Sequence, residues 1–261
     1  MTTVTAATKK ETVQLGALKV NLVKGGKGNP LLVLHRDFGS PGWVPFIEEL
    51  AAKHTVYLPS HPGFDGSEVP QWARTVRDLA ALHIWLLSEL KLTGVDVLGL
   101  GFGGWIAAEM ATMDHKLFRK MALVAPMGVQ PKEGEIYDQF LVSPLEYIQA
   151  SFHVTTKANQ QWGSQPTVDQ LEIWEINREM TTRVAWKPYM FDQSLPHLLP
   201  GVKTPTLLVW GKEDKIVPAA CAKQYQQGIP GARLETIAGA GHCVEYEKPK
   251  ELAKLVSEFL V

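Results

Sequence analysis

Short apolar runs alternate with amphipathic segments along most of this chain, and that alternation restricts the fold more than any other feature. Leu-Leu-Val-Leu at 31–34, Val-Tyr-Leu at 56–58, Val-Asp-Val-Leu-Gly-Leu at 95–100, Ala-Leu-Val at 122–124, Thr-Leu-Leu-Val-Trp at 206–210 and Leu-Glu-Thr-Ile at 234–237 have strand length. Such runs fit strands buried on both faces, as in a parallel sheet covered by helices. The covering helices are expected at 43–53, 76–90, 105–113, 219–227 and 251–260, the second opened by Thr75 with Asp78 three residues on. Residues 11–23 read as a hairpin turning at Gly16. The pattern predicts an α/β architecture with a mostly parallel central sheet and helices on both faces.

Residues 127–201 break the alternation. They hold no good strand run, and both Ser143-Pro-Leu-Glu146 and Thr167-Val-Asp-Gln170 have the form of capping boxes that open helices. A helical insertion between two strands is predicted, with residues 1–126 and 202–261 forming the core domain and 127–201 a lid. The insertion is rich in aromatic residues, among them Tyr147, Phe152, Trp162, Trp174 and Trp186. At helical spacing most of these pack a lid onto the sheet, and some are expected to line a pocket.

Composition narrows the function. A chain of 261 residues, 45% hydrophobic and with net charge -1, buries one large core or two modest ones and has no pull towards nucleic acid or an anionic membrane. Cys221 and Cys243 are far apart and lack metal-type spacing, so neither a disulfide framework nor a zinc site is suggested. The segment from Met1 to Lys10 lacks the apolar stretch of a leader peptide, and no run approaches bilayer length. These readings predict a cytoplasmic protein, monomer or homodimer, that acts on a small molecule. Nothing requires a metal, nucleotide or flavin cofactor.

The run at 95–100 leads into Gly99-Leu-Gly-Phe-Gly103 and then a helical segment. A strand, G-x-S-x-G and a helix make a nucleophile elbow, where serine sits on a strained turn; here Gly101 stands in the reactive slot. Three further motifs stand in order with it. His35-Arg-Asp-Phe-Gly39 follows the run at 31–34, and Pro59-Ser-His-Pro-Gly-Phe-Asp-Gly-Ser67 follows 56–58. Gly211-Lys-Glu-Asp214 and Gly241-His242 form a late pair after the last two strand runs. In this order the motifs resemble those of the α/β-hydrolase superfamily, over nearly the whole chain. The resemblance implies the α/β-hydrolase fold and hydrolysis of a small, largely apolar or aromatic ester, lactone or carbon–carbon bond. It implies a triad at position 101, Asp214 and His242, with the Phe102 N–H and the 35–39 loop supplying an oxyanion hole.

The departures from that pattern are at the same site. Arg36 stands where the family usually has glycine, and Asp37 occupies the position whose N–H would point at an oxyanion. A carboxylate there opposes developing negative charge unless it is protonated, turned away or paired with Arg36. His35, Arg36, Asp37 and Phe102 are therefore pocket candidates. Asp65 replaces a usual glycine and reads as a turn aspartate, a residue tolerant of left-handed backbone.

Gly101 admits three explanations. The natural protein has serine and this chain an inactivating substitution; or glycine is native and an Asp214-His242 base works without a covalent intermediate; or the chain binds a ligand without turnover. A non-hydrolytic lyase and a cofactor-free proton-transfer enzyme belong to the second class. Ser40 and Cys243 are candidate substitutes for the missing nucleophile. Gly99 to Gly104 also spells the dinucleotide fingerprint G-x-G-x-x-G, but no acidic residue ends the next strand run, and the loops at His35 and His242 would go unexplained.

Overall fold

The computed structural model describes residues 7–261; Met1 to Ala6, most of the segment compared with a leader peptide, lie outside the described residues. The chain opens with the expected hairpin, β1 (Thr8–Leu15) and β2 (Leu18–Gly26), longer at both ends than the pattern indicated. Then follow β3 (Asn29–Leu34), α1 (Pro45–Ala51), β4 (His54–Pro59), α2 (Val76–Glu89), β5 (Val95–Leu100), α3 (Phe102–Met113) and β6 (Phe118–Val124). Between β6 and the next strand lie α4 (Pro144–Ala150), α5 (Thr155–Trp162), α6 (Val168–Ala185), α7 (Leu195–Leu198) and a 3-10 turn, Leu199–Gly201. β7 (Thr206–Gly211), α8 (Ala219–Gly228), β8 (Arg233–Ile237), α9 (Val244–Glu247) and α10 (Pro249–Leu260) complete the fold.

All eight strands form one sheet in the order β1-β2-β4-β3-β5-β6-β7-β8. The β1-β2 and β2-β4 pairs are antiparallel and the remainder parallel. The strand runs are continuously apolar because alternate residues enter two different cores. Leu31, Val33, Leu98, Ala122, Val124 and Val209 share one core with α1 and α10. Leu32, Leu34, Val97, Met121, Leu123 and Leu208 share the other with α2, α3 and α8. Asp96, the one polar residue in the 95–100 run, is buried and meets Arg119.

The helix starts follow local chemistry. The Thr75/Asp78 and Ser143/Glu146 boxes close in both directions. At Thr167 the side chain accepts from Gln170 N–H at 3.2 Å, the forward half of the expected box only. α3 starts at Phe102, three residues earlier than the pattern suggested, since the turn at Gly101 runs straight into it.

The glycines that imitate a dinucleotide loop have a packing role. A Cβ on Gly103 would lie 2.3 Å from the Leu34 carbonyl oxygen, so this residue lets α3 approach β3 closely. No helix among the described residues is long and apolar enough to cross a membrane.

Candidate active site

The C-terminal ends of the parallel strands open onto the crevice where α/β sheets bind ligands. After β7 the chain turns so that Asp214 Oδ1 accepts from the N–H groups of Ile216 at 2.8 Å and Val217 at 2.9 Å. Its Oδ2 meets His242 Nδ1 at 2.8 Å, with both side chains buried. An aspartate in that position favours the proton on Nδ1 and turns Nε2 outward as a base. His242 Nε2 is buried and has no partner among the described residues.

Two carboxylates hold the loop that carries His242. Glu213 Oε2 accepts from Gly239 N–H at 2.8 Å and Ala240 N–H at 3.1 Å, and Glu247 Oε2 accepts from Gly241 N–H at 2.6 Å. Glu247 also takes the N–H groups of His153 and Val154, each at 3.0 Å, and so ties the His242 loop to the segment between α4 and α5.

Gly101 makes the elbow turn at φ +52, ψ -109, a conformation glycine enters without a Cβ clash. A Cβ at this position would come 2.9 Å from His242 Nε2 and 2.7 Å from Arg36 Nη1. The guanidinium thus lies against the position that a side chain at residue 101 would occupy. Arg36 Nε and Nη2 donate to Glu245 Oε1 and Oε2 at 2.6 and 2.8 Å, and Nη2 also reaches His242 O at 2.6 Å. Burial alone disfavours the charge, but Glu245 outweighs it and holds the guanidinium above its ordinary range. Arg36 Nη1 is left without a partner among the described residues.

Glu245 closes one of the three alternatives left open for Asp37, pairing with Arg36. Arg36 pairs with this distant glutamate, and Asp37 has a different fate: its Oδ2 accepts from Gln139 Nε2 at 3.1 Å, while Oδ1 is unpartnered. Tyr147, on α4, is buried with its hydroxyl also unpartnered. Burial, and then the Asp37 carboxylate, push that hydroxyl well above the ordinary phenol range, so it remains a donor. Asp37, Phe38, Gln139, Tyr147, Ile148 and Trp174 enclose a small pocket. Arg36 Nη1, Asp37 Oδ1, Tyr147 Oη and His242 Nε2 are four of the seven buried side-chain polar atoms without a partner among the described residues. A buried polar atom left unsatisfied costs roughly 1–3 kcal/mol, so Arg36 Nη1 and His242 Nε2, both beside Gly101, are available to a polar group that enters the slot.

His35 is not among the residues lining that pocket. Its Nδ1–H donates to Arg36 O at 2.7 Å, and its Nε2 accepts from His61 N–H at 2.8 Å. His61 in turn donates from Nε2 to His35 O at 2.9 Å and accepts at Nδ1 from His83 Nε2–H at 2.8 Å. These bonds leave one neutral tautomer for each ring. Burial lowers the pKa of all three, that of His83 to about 3. His35 braces the loop from beneath.

Phe102 likewise packs its ring on Phe64 and Trp105, which leaves its N–H, in the first turn of α3, as its means of meeting a ligand. Asp65 does adopt left-handed backbone, φ +46, and its carboxylate also accepts from Ser40 N–H at 2.6 Å and Asn177 Nδ2 at 2.9 Å, joining the 35–39 loop to α6.

Neither substitute nucleophile stands nearest the slot, since the atoms closest to a Gly101 Cβ belong to Arg36 and His242. Burial pushes the Cys243 thiol well above its ordinary range, and Ser40 Oγ accepts locally from Gly42 N–H at 3.2 Å. Of the insertion's aromatic residues, Tyr147, Phe152 and Trp174 are buried, whereas Trp186 is exposed. Among the described residues no group of three His, Cys, Asp or Glu is placed to hold a metal ion.

A profile of the alpha/beta hydrolase family matches residues 31–255. The chain is 25% identical to 2-hydroxymuconate semialdehyde hydrolase of Pseudomonas sp. (strain CF600) over an alignment 280 positions long, gaps included, covering 93% of this chain and 90% of that protein. Among solved structures it is similar to a membrane phospholipase A described as a bacterial virulence factor, with TM-score 0.83, 21% identity and coverage of 97% and 86%. It is also similar to the 2-hydroxy-6-oxo-6-phenylhexa-2,4-dienoate hydrolase of Rhodococcus sp. strain RHA1, with TM-score 0.76, 18% identity and coverage of 98% and 99%.

Proposed function

The chain belongs to the α/β-hydrolase family, and from that premise we propose that it hydrolyses a small, largely apolar or aromatic carbonyl compound without a covalent intermediate. The observation that carries this reading is the pair of buried, unpartnered nitrogens over Gly101, one on an imidazole backed by Asp214 and one on a guanidinium. A serine nucleophile would need the space that Arg36 fills. An inactivating replacement of a native serine offers no reason for Arg36 and Glu245 to be there.

His242 Nε2 takes a proton from water as the water oxygen bonds to the substrate carbonyl carbon. The carbonyl π pair moves to oxygen, and Arg36 Nη1–H and the Phe102 N–H stabilise the anion. When the carbonyl re-forms, the bond to the leaving group breaks, and that group takes the proton back from His242. Residues 127–201 serve as the lid over this slot. The names of two relatives specify a semialdehyde and an oxo-phenylhexadienoate as their substrates, which supports a carbonyl carbon as the reacting centre here.

A ligand-binding protein without turnover is favoured by one observation: residue 101, in the elbow, has no side chain to serve as a nucleophile. Rapid-mixing kinetics on aryl esters separate the two readings. The hydrolytic reading expects steady product release with no initial burst, unchanged by a serine-directed fluorophosphonate. Ligand-induced stabilisation with no product after a single-turnover incubation would favour the binding protein.

A further inference from the structure

Resting on the hydrolytic reading of the slot, we infer that Glu247 is a positioning residue for the His242 base: its carboxylate fixes the backbone beside His242 to the α4–α5 link of the insertion, so that lid segment and base move as one unit. Glu247 closes α9 and is buried. One oxygen, Oε2, spans the two segments, accepting from Gly241 N–H at 2.6 Å and from His153 N–H at 3.0 Å. The other, Oε1, accepts from Val154 N–H at 3.0 Å.

The residues on both sides of His242 are held to the insertion. Gly241 is reached through Glu247, and Cys243 N–H donates to Ser151 O at 3.0 Å. The segments lie so close that a Cβ on Gly241 would come 2.7 Å from the His153 nitrogen and 2.9 Å from the Ser151 carbonyl oxygen. Asp214 grips the ring of His242 at Nδ1, and these contacts grip the backbone from which the ring projects. A shift of residues 151–154 is therefore passed to residues 241–243, and so to the 2.8 Å contact that turns Nε2 towards the slot.

Three N–H donors on two oxygens suit a carboxylate, which accepts only when ionised. Glutamine in its place has the same shape but turns an NH2 group towards at least one of those donors. Lys157 supplies a contrast. Its Nζ donates to the main-chain carbonyl of Glu247 at 2.7 Å, a tie between insertion and α9 that leaves the carboxylate out.

The test combines aryl-ester kinetics with the low-field proton resonance of His242 Nδ1–H in the ligand-free protein, which reads the contact with Asp214 independently of turnover. Glu247→Gln is expected to lower kcat by about 10–100-fold with little change in KM, since misplacing a reacting group by about 1 Å costs about 100-fold, and to shift or broaden the resonance. Gly241→Ala, which pushes the same segments apart without touching the carboxylate, should act in the same direction. Lys157→Met should leave both kcat and the resonance unchanged. An unchanged kcat and resonance in Glu247→Gln overturns the proposal. An equal loss in Lys157→Met also overturns it, because docking of the insertion in general would then be the cause. If the unaltered protein turns over no ester, the hydrolytic reading fails and the resonance alone decides: a shift in Glu247→Gln but not in Lys157→Met keeps Glu247 as the residue that places His242. Should Glu247→Gln not fold, hydrogen exchange of the unaltered protein decides. The Gly241, His153 and Val154 amides should share one protection factor, as parts of a single opening unit, and unequal protection overturns the proposal.

Discussion

Nη1 of Arg36 stands 2.7 Å from the point where a Cβ on Gly101 would sit, while Glu245 grips the rest of the guanidinium. The small residue in the elbow and the large one in the neighbouring loop are complementary. Gly101→Ser alone therefore brings its Cβ against Arg36 and is expected to lower stability by about 1–3 kcal/mol, the usual cost of overpacking. Urea unfolding measures that loss, and fluorophosphonate labelling should be absent. Adding Arg36→Gly and Glu245→Gln opens the slot, and labelling should then occur. Equal labelling of the single and triple variants would show that Arg36 does not block the position.

Arg36→Met leaves Glu245 buried without its cation and should cost about 3–5 kcal/mol. Arg36→Met combined with Glu245→Leu removes both charges, so most of the stability should return. Ester hydrolysis should stay impaired in that double variant, since the cation beside His242 is gone. Denaturant midpoints and kcat of the two variants, taken together, separate the structural role of the pair from its electrostatic role. Full activity in the stable double variant would remove Arg36 from the chemistry.

The His35, His61 and His83 rings are held neutral, with pKa values lowered first by burial. Their ordinary value in the unfolded chain is about 6.5. Below that pH the unfolded chain binds protons that the folded rings refuse, so stability is complete above about 6.5 and falls as the solution is acidified. For His83 the loss continues down to a folded value of about 3. Three such groups give a limiting slope of about 4 kcal/mol per pH unit. Urea melts at pH 7.5 and 5.0 should show the decline, and His83→Phe should reduce it. An unchanged midpoint between those pH values would contradict the neutral histidine chain.

The sequence pattern made the sheet legible because β5 and β7 are buried at every position, where apolarity itself marks a strand. Asp214 and His242 were legible because each follows its strand within a short motif. Glu245 and Gln139 were not, since they meet Arg36 and Asp37 across 209 and 102 residues, and neither has a local pattern around it. Tyr147 stood among the insertion's aromatic residues, but only its fold position reveals that its hydroxyl faces a carboxylate. His35 shows the opposite limit. Its loop motif pointed to the pocket, while rings from two later segments, His61 and His83, decide where the side chain goes.

Asp214→Asn keeps the size of the side chain that braces His242 but removes the carboxylate that sets its tautomer. A fall in kcat of about 10³–10⁴ is expected where such an aspartate orients a catalytic histidine. Thermal unfolding should change far less, and kcat from steady-state ester hydrolysis makes the comparison. A variant with near-normal kcat would mean that the 2.8 Å Asp214-His242 contact is structural.

The most direct measurement is aryl-ester hydrolysis by the unaltered protein and by His242→Ala under single-turnover conditions. The unaltered chain should release product in a single phase with no covalent protein adduct in rapidly quenched mass spectra, and His242→Ala should lose at least about 100-fold in rate. Activity that survives the loss of His242, or an acyl adduct on the unaltered chain, would contradict a histidine-led reaction over Gly101.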